Sequence, residues 1–135
     1  MVGKRVLLAD DDPTFGRLVR ELLERHGYAV TVVASGTACL ETARREPPDL
    51  IVLDVMMPGM DGYDVCQELG KDAGLKMIPI VILTAMEDPK LNQRAFAAGA
   101  KLCMTKPLRP DKFLHAVQMA LLSAPRKPPQ AQKKG

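Results

Sequence analysis

Five short apolar runs, at residues 6–9, 29–34, 50–53, 78–83 and 102–104, are dispersed along a chain of 135 residues. They are rich in β-branched residues and too short for buried helices, so they read as strands buried on both faces. Between them, apolar residues recur at three- and four-residue steps, the pattern of amphipathic helices. Phe15, Leu18, Val19, Leu22 and Leu23 make the first, with Gly27 as its stop. Ser35 caps a second, which carries Ala38, Leu40 and Ala43 and ends at Pro47-Pro48. A third is expected over about residues 61–69. The fourth runs from Pro89 through Leu91, Phe96 and Ala97 to Gly99, and the fifth carries Phe113, Leu114, Val117, Leu121 and Leu122. Strands alternating with helices must run parallel, and right-handed crossovers leave few ways to arrange them.

The fold class expected is α/β: a flavodoxin-like (βα)5 doubly wound parallel five-stranded sheet in the order 2-1-3-4-5. Ligands in such sheets lie beyond the C-terminal strand ends, where strands 1 and 3 send their helices to opposite faces. The acids fall there. Asp10, Asp11 and Asp12 follow the first run, and Asp54 follows the third. Neighbouring buried carboxylates repel one another and lose hydration unless a cation compensates. Hard oxygen ligands converging on one edge suit Mg²⁺, and one carboxylate is left over for chemistry.

The length suits one domain, and a composition of 47% apolar and 26% charged residues suits a soluble globule. No run approaches the roughly 20 apolar residues of a membrane span, and no cleavable leader is evident, so a cytoplasmic location and no membrane partner are expected. Cys39, Cys66 and Cys103 lack C-x-x-C spacing and read as small buried hydrophobes. His26 and His115 read as ordinary helix residues. The net charge of +3 is uneven: Arg126, Lys127, Lys133 and Lys134 bring +4, which leaves residues 1–123 at −1. Residues 1–123 are therefore expected to form the domain. Residues 124–135 are expected to be a disordered Pro/Lys-rich tail or linker, with no case for nucleic-acid binding by the domain itself.

Four motifs now combine: DDDP after strand 1, LDVMMPGMDG at strand 3, ILTA at the end of strand 4 and TKP after strand 5. In that order, each at the same sheet edge, they resemble the receiver domains of two-component response regulators, over about residues 4–122. The resemblance implies Asp54 as phosphoacceptor, a role its chemistry permits because a carboxylate can attack phosphorus to give an acyl phosphate. It implies Mg²⁺, with Mn²⁺ as an alternative, on Asp10, Asp11, Asp54 and the backbone carbonyl of Met56. Thr84 and Lys106 would contact the phosphoryl group, and the Lys106–Pro107 bond would be cis. Asp12 is left as a helix cap. Pro58, Gly59 and Gly62 shape the turn after the site. Such a domain catalyses only its own phosphorylation and dephosphorylation and is not a turnover enzyme.

One departure stands out. Receiver domains usually carry Tyr or Phe three residues before the lysine, where it moves with the threonine as part of the switch; here that residue is Cys103. Output is then expected through the fourth helix and its loop, within the surface of residues 88–122, or through a partner that contacts the site directly. Met56 and Met86, two residues after Asp54 and Thr84, cannot orient an attacking water, so slow self-dephosphorylation behind two apolar side chains is expected. A dehalogenase-like phosphatase would need an acid at Met56, and a flavodoxin would not place Asp11-Asp12 against a phosphate. The partners implied are a histidine kinase or histidine phosphotransfer protein, an unidentified downstream protein, and a second copy in a phosphorylation-dependent homodimer. A single-domain regulator is favoured over the receiver piece of a longer protein with a DNA-binding or second-messenger output.

Overall fold

The computed structural model describes residues 3–124; the basic stretch from Arg126 onward lies outside them. The chain alternates β1 (Arg5–Ala9), α1 (Pro13–Arg25), β2 (Ala29–Val33), α2 (Gly36–Arg45), β3 (Leu50–Leu53), α3 (Gly62–Lys71), β4 (Ile80–Thr84), α4 (Leu91–Ala98), β5 (Leu102–Thr105) and α5 (Pro110–Ser123). All strand pairs are parallel, in the order β2-β1-β3-β4-β5, as expected from the alternation of runs.

The strand period of two sorts the central strands into two cores. Leu7, Ile51, Leu53, Ile80 and Ile82 face α2, α3 and α4. Val6, Leu8, Leu50, Val52, Val81 and Leu83 face α1 and α5, meeting Val19, Leu23, Phe113 and Val117. Such large side chains contribute roughly 1.5–3 kcal/mol each when fully buried, so these two layers hold the sheet edge where the acids stand.

Several boundaries move for identifiable reasons. β4 starts at Ile80 because Pro79 has no N–H to give the ladder, although its carbonyl accepts Ile51 N at 3.0 Å. α3 runs past Leu69 to Lys71 and is started by an Asp61–Asp64 capping box. α4 begins at Leu91, after Pro89; the Asp88 carboxylate accepts Lys90 N at 2.8 Å and the Asp88 carbonyl accepts Leu91 N at 2.9 Å. Leu18, Phe96 and Leu122, expected on apolar stripes, are half exposed or more, so the buried stripes are narrower than the periodicity suggests. Cys39 and Cys66 are fully buried, with thiols pushed up to about 12 by loss of solvent. Cys103 is a correction: it is only partly buried, on β5 at the open edge of the sheet. His26 caps the C-terminal end of α1, its Nδ1 3.0 Å from the Leu22 carbonyl, and His115 lies exposed on α5.

Candidate functional site

β1 and β3 are neighbours in register, with Ala9 opposite Leu53, so the residues after them emerge side by side. Asp54 N donates to Ala9 O at 3.0 Å and Asp10 N donates to Val33 O at 3.0 Å, which continues the ladder one residue beyond each strand. Asp10 and Asp54 are buried at 3% and 5% exposure, and Asp11 is exposed. These three acids each present a carboxylate oxygen within 4.8 Å of the others. The donor set is all hard oxygen and partly open to solvent, which fits Mg²⁺.

Lys106 reaches this cluster from the end of β5. Its Nζ lies 2.9 Å from Asp10 Oδ2 and 3.4 Å from Asp54 Oδ2. Its backbone N donates to Thr84 O at 2.8 Å, and the Lys106–Pro107 peptide is cis. Burial pushes the Asp10 carboxyl above its ordinary value, against the lowering effects of Asp12 N–H and Lys106. For Lys106, burial favours the neutral amine, but the hydrogen bond to Asp10 and the charges of Asp54 and Asp10 outweigh it and leave the ammonium above its ordinary value. The charged lysine is thus held between two acids that want a cation.

Asp12 turns away from the cluster. Its Oδ1 accepts Thr14 N at 3.0 Å and Phe15 N at 3.3 Å, capping α1, while its own N donates to Asp10 Oδ1 at 2.9 Å. Met56 N donates to Asp54 Oδ1 at 3.2 Å, so the Met56 backbone stays against the carboxylate, but its side chain is 54% exposed. Of the two methionines expected to shield the site, only Met86 is partly buried. Gly59, with φ +78°, makes the turn after the exposed Pro58. Gly62 acts differently: as the first residue of α3 it packs on the Asp54 carbonyl, and a Cβ there would lie 2.4 Å from that oxygen.

Thr84 is fully buried at the end of β4, its Oγ1 accepting Met86 N at 3.2 Å. Two residues that sequence reasoning passed over adjoin these groups. The Phe15 ring lies 4.1 Å from Lys106 Nζ; it reads in sequence as one more core position of α1. Tyr63, buried on α3, donates to Met86 Sδ at 4.0 Å. Its ring lies 4.3 Å beneath the Arg94 guanidinium of α4, which pairs with Asp88 at 3.0 Å. The backbone N–H of Lys90 and the Arg94 charge hold the Asp88 carboxyl below its ordinary value.

Comparison with known proteins adds to this geometry. The chain is 36% identical over 118 residues to the DNA-binding response regulator MtrA of Mycolicibacterium smegmatis, covering 87% of this chain and 50% of that protein. It is 38% identical over 120 residues to the alkaline phosphatase synthesis transcriptional regulatory protein PhoP of Bacillus subtilis, covering 89% and 49%. The chain therefore spans about half the length of these curated relatives. The crystal structure of the signal receiver domain of a signal transduction histidine kinase from Syntrophus aciditrophicus superposes with a TM-score of 0.85 at 32% identity, covering 93% of this chain and 96% of that one. The model of the response regulator receiver domain matches residues 6–118. With that match spanning both β1 and most of α5, the chain belongs to the response regulator receiver domain family.

Proposed function

We propose that this domain is a phosphorylation-driven switch in which Asp54 takes a phosphoryl group from the phosphohistidine of a kinase or phosphotransfer protein. The observation that carries the reading is the convergence of Asp10, Asp11, Asp54 and Lys106 at one sheet edge. An Asp54 carboxylate oxygen forms the new P–O bond as the P–N bond of the donor breaks, and the leaving histidine keeps the electron pair and takes up a proton. Phosphoryl transfer asks mainly for in-line positioning and charge neutralisation. Asp10, Asp11, Asp54 and the Met56 carbonyl would hold Mg²⁺, which when bound offsets negative charge on the phosphoryl oxygens. Lys106 supplies a further cation beside Asp54. The Thr84 hydroxyl, which now accepts Met86 N, still has its proton to donate to a phosphoryl oxygen.

Incubation with a small acyl phosphate tests this. Intact mass should rise by one phosphoryl group in Mg²⁺; EDTA or Asp54→Asn should abolish the gain. Labelling of Asp54→Asn at the wild-type level would contradict the assignment.

Output in this reading leaves through α4 and its loop, because Cys103 offers no aromatic side chain on β5. A shift of Thr84 toward the phosphoryl group draws on Met86, which touches Tyr63, which underlies Arg94. Tyr63→Leu should leave labelling unchanged within about twofold while blunting the phosphorylation-induced amide shifts of α4, since cation–π and S–O contacts of roughly 0.5–1 kcal/mol are removed. Undiminished α4 shifts in that variant would refute the route.

A second reading, in which the domain controls a DNA-binding output in the same polypeptide, is favoured by the half-length match to MtrA. The mass of the protein isolated from its native source separates the two: a chain of 135 residues supports action by docking alone, a markedly longer one supports the second.

A further inference from the structure

Lys106 Nζ is held on one side by Asp10 and Asp54, at 2.9 and 3.4 Å. On another side it faces the Phe15 ring, whose centroid is 4.1 Å away. An ammonium over an aromatic face is attracted by the ring quadrupole, and the attraction grows when water is excluded; the Lys106 side chain is only 16% exposed. A lysine otherwise loses considerable rotamer entropy in staying put. A ring can restrain it without taking a proton or competing for the carboxylates.

The backbone of Phe15 is itself fixed by the acids. Phe15 N donates to Asp12 Oδ1, Asp12 N donates to Asp10 Oδ1, and Asp10 Oδ2 accepts from Lys106. The circuit from Asp10 through Asp12 and Phe15 to Lys106 closes on itself, and the flank of Phe15 packs on the core beneath α1 and α5. We propose that Phe15 is a positioning residue, whose ring holds the Lys106 ammonium at the phosphoacceptor before the phosphoryl group arrives. This rests on the assignment of Asp54 above. It gives the third acid of DDDP a purpose in the site: Asp12 sets Phe15, and Phe15 sets the lysine.

The test begins in metal-free protein without donor. The ε protons of Lys106 should be displaced upfield by the ring in wild type and in Phe15→Tyr, and return toward random-coil positions in Phe15→Leu. The rate of labelling by a small acyl phosphate in Mg²⁺ should fall roughly three- to tenfold in Phe15→Leu, the range a cation–π contact of this kind supports, and stay near wild type in Phe15→Tyr. Undisplaced Lys106 protons in wild type would overturn the proposal whether or not the leucine variant folds. So would a labelling rate in Phe15→Leu equal to that of wild type. A wild-type protein that shows the displaced protons but takes no label would instead overturn the phosphoacceptor assignment.

Discussion

Alanine at position 62 should destabilise the protein by about 3 kcal/mol, at the upper end of what overpacking costs. The added Cβ would stand 2.4 Å from the Asp54 carbonyl oxygen and 2.8 Å from Val55 Cα. These are backbone atoms, so no side chain can swing aside. Gly62 cannot retreat either, because its N–H donates to Val55 O at 2.9 Å and opens α3. Gly70 on the same helix is the control, since a Cβ there meets nothing within 4 Å; Gly70→Ala should stabilise by roughly 0.5–1 kcal/mol. Urea denaturation of both variants checks the pair. Equal effects would mean that α3 does not press on the Asp54 peptide. Because that peptide carries the proposed phosphoacceptor, Gly62→Ala should also slow labelling.

The second large effect is expected from Lys106→Met in metal-free buffer. Removing the only cation bonded to Asp10 and Asp54 among the described residues leaves two nearly dry like charges close together. Breaking a buried pair in this way costs about 3–5 kcal/mol, and the open side of the cluster at Asp11 favours the lower figure. Mg²⁺ should restore most of the loss, since a divalent ion bound to the folded state stabilises it by mass action and no longer competes with the ammonium for Asp10. Denaturation in EDTA and in saturating Mg²⁺ measures both halves. A deficit that Mg²⁺ leaves unchanged would show that the acids do not form one cation site.

The fold was legible because period and position agree: the short β-branched runs fixed the strands, and Ser35, Gly27 and Gly99 marked helix ends by ordinary capping chemistry. Burial was less legible. Leu18 and Leu122 obey the helical period yet lie exposed, since periodicity marks a stripe but not how much of it a neighbour covers. Asp10, Asp11, Asp54, Thr84 and Lys106 could be drawn to one edge from strand ends alone. Phe15 and Tyr63 could not. Each looks like core in sequence, and only the position of a distant cation, Lys106 or Arg94, gives its ring a polar task. Cys103 shows the converse: its place in the motif was readable, but not its partial exposure at the open edge beside β4.

Chemical trapping of the labelled residue tests the central claim most directly. After incubation with a small acyl phosphate and Mg²⁺, borohydride reduction of an aspartyl phosphate gives homoserine, which peptide mass mapping locates. Homoserine should appear at position 54 alone, at none of Asp10, Asp11 or Asp12, and should vanish when Mg²⁺ is withheld. Trapping at one of the β1 acids, or none at position 54 in a protein that has gained the phosphoryl mass, would contradict the account.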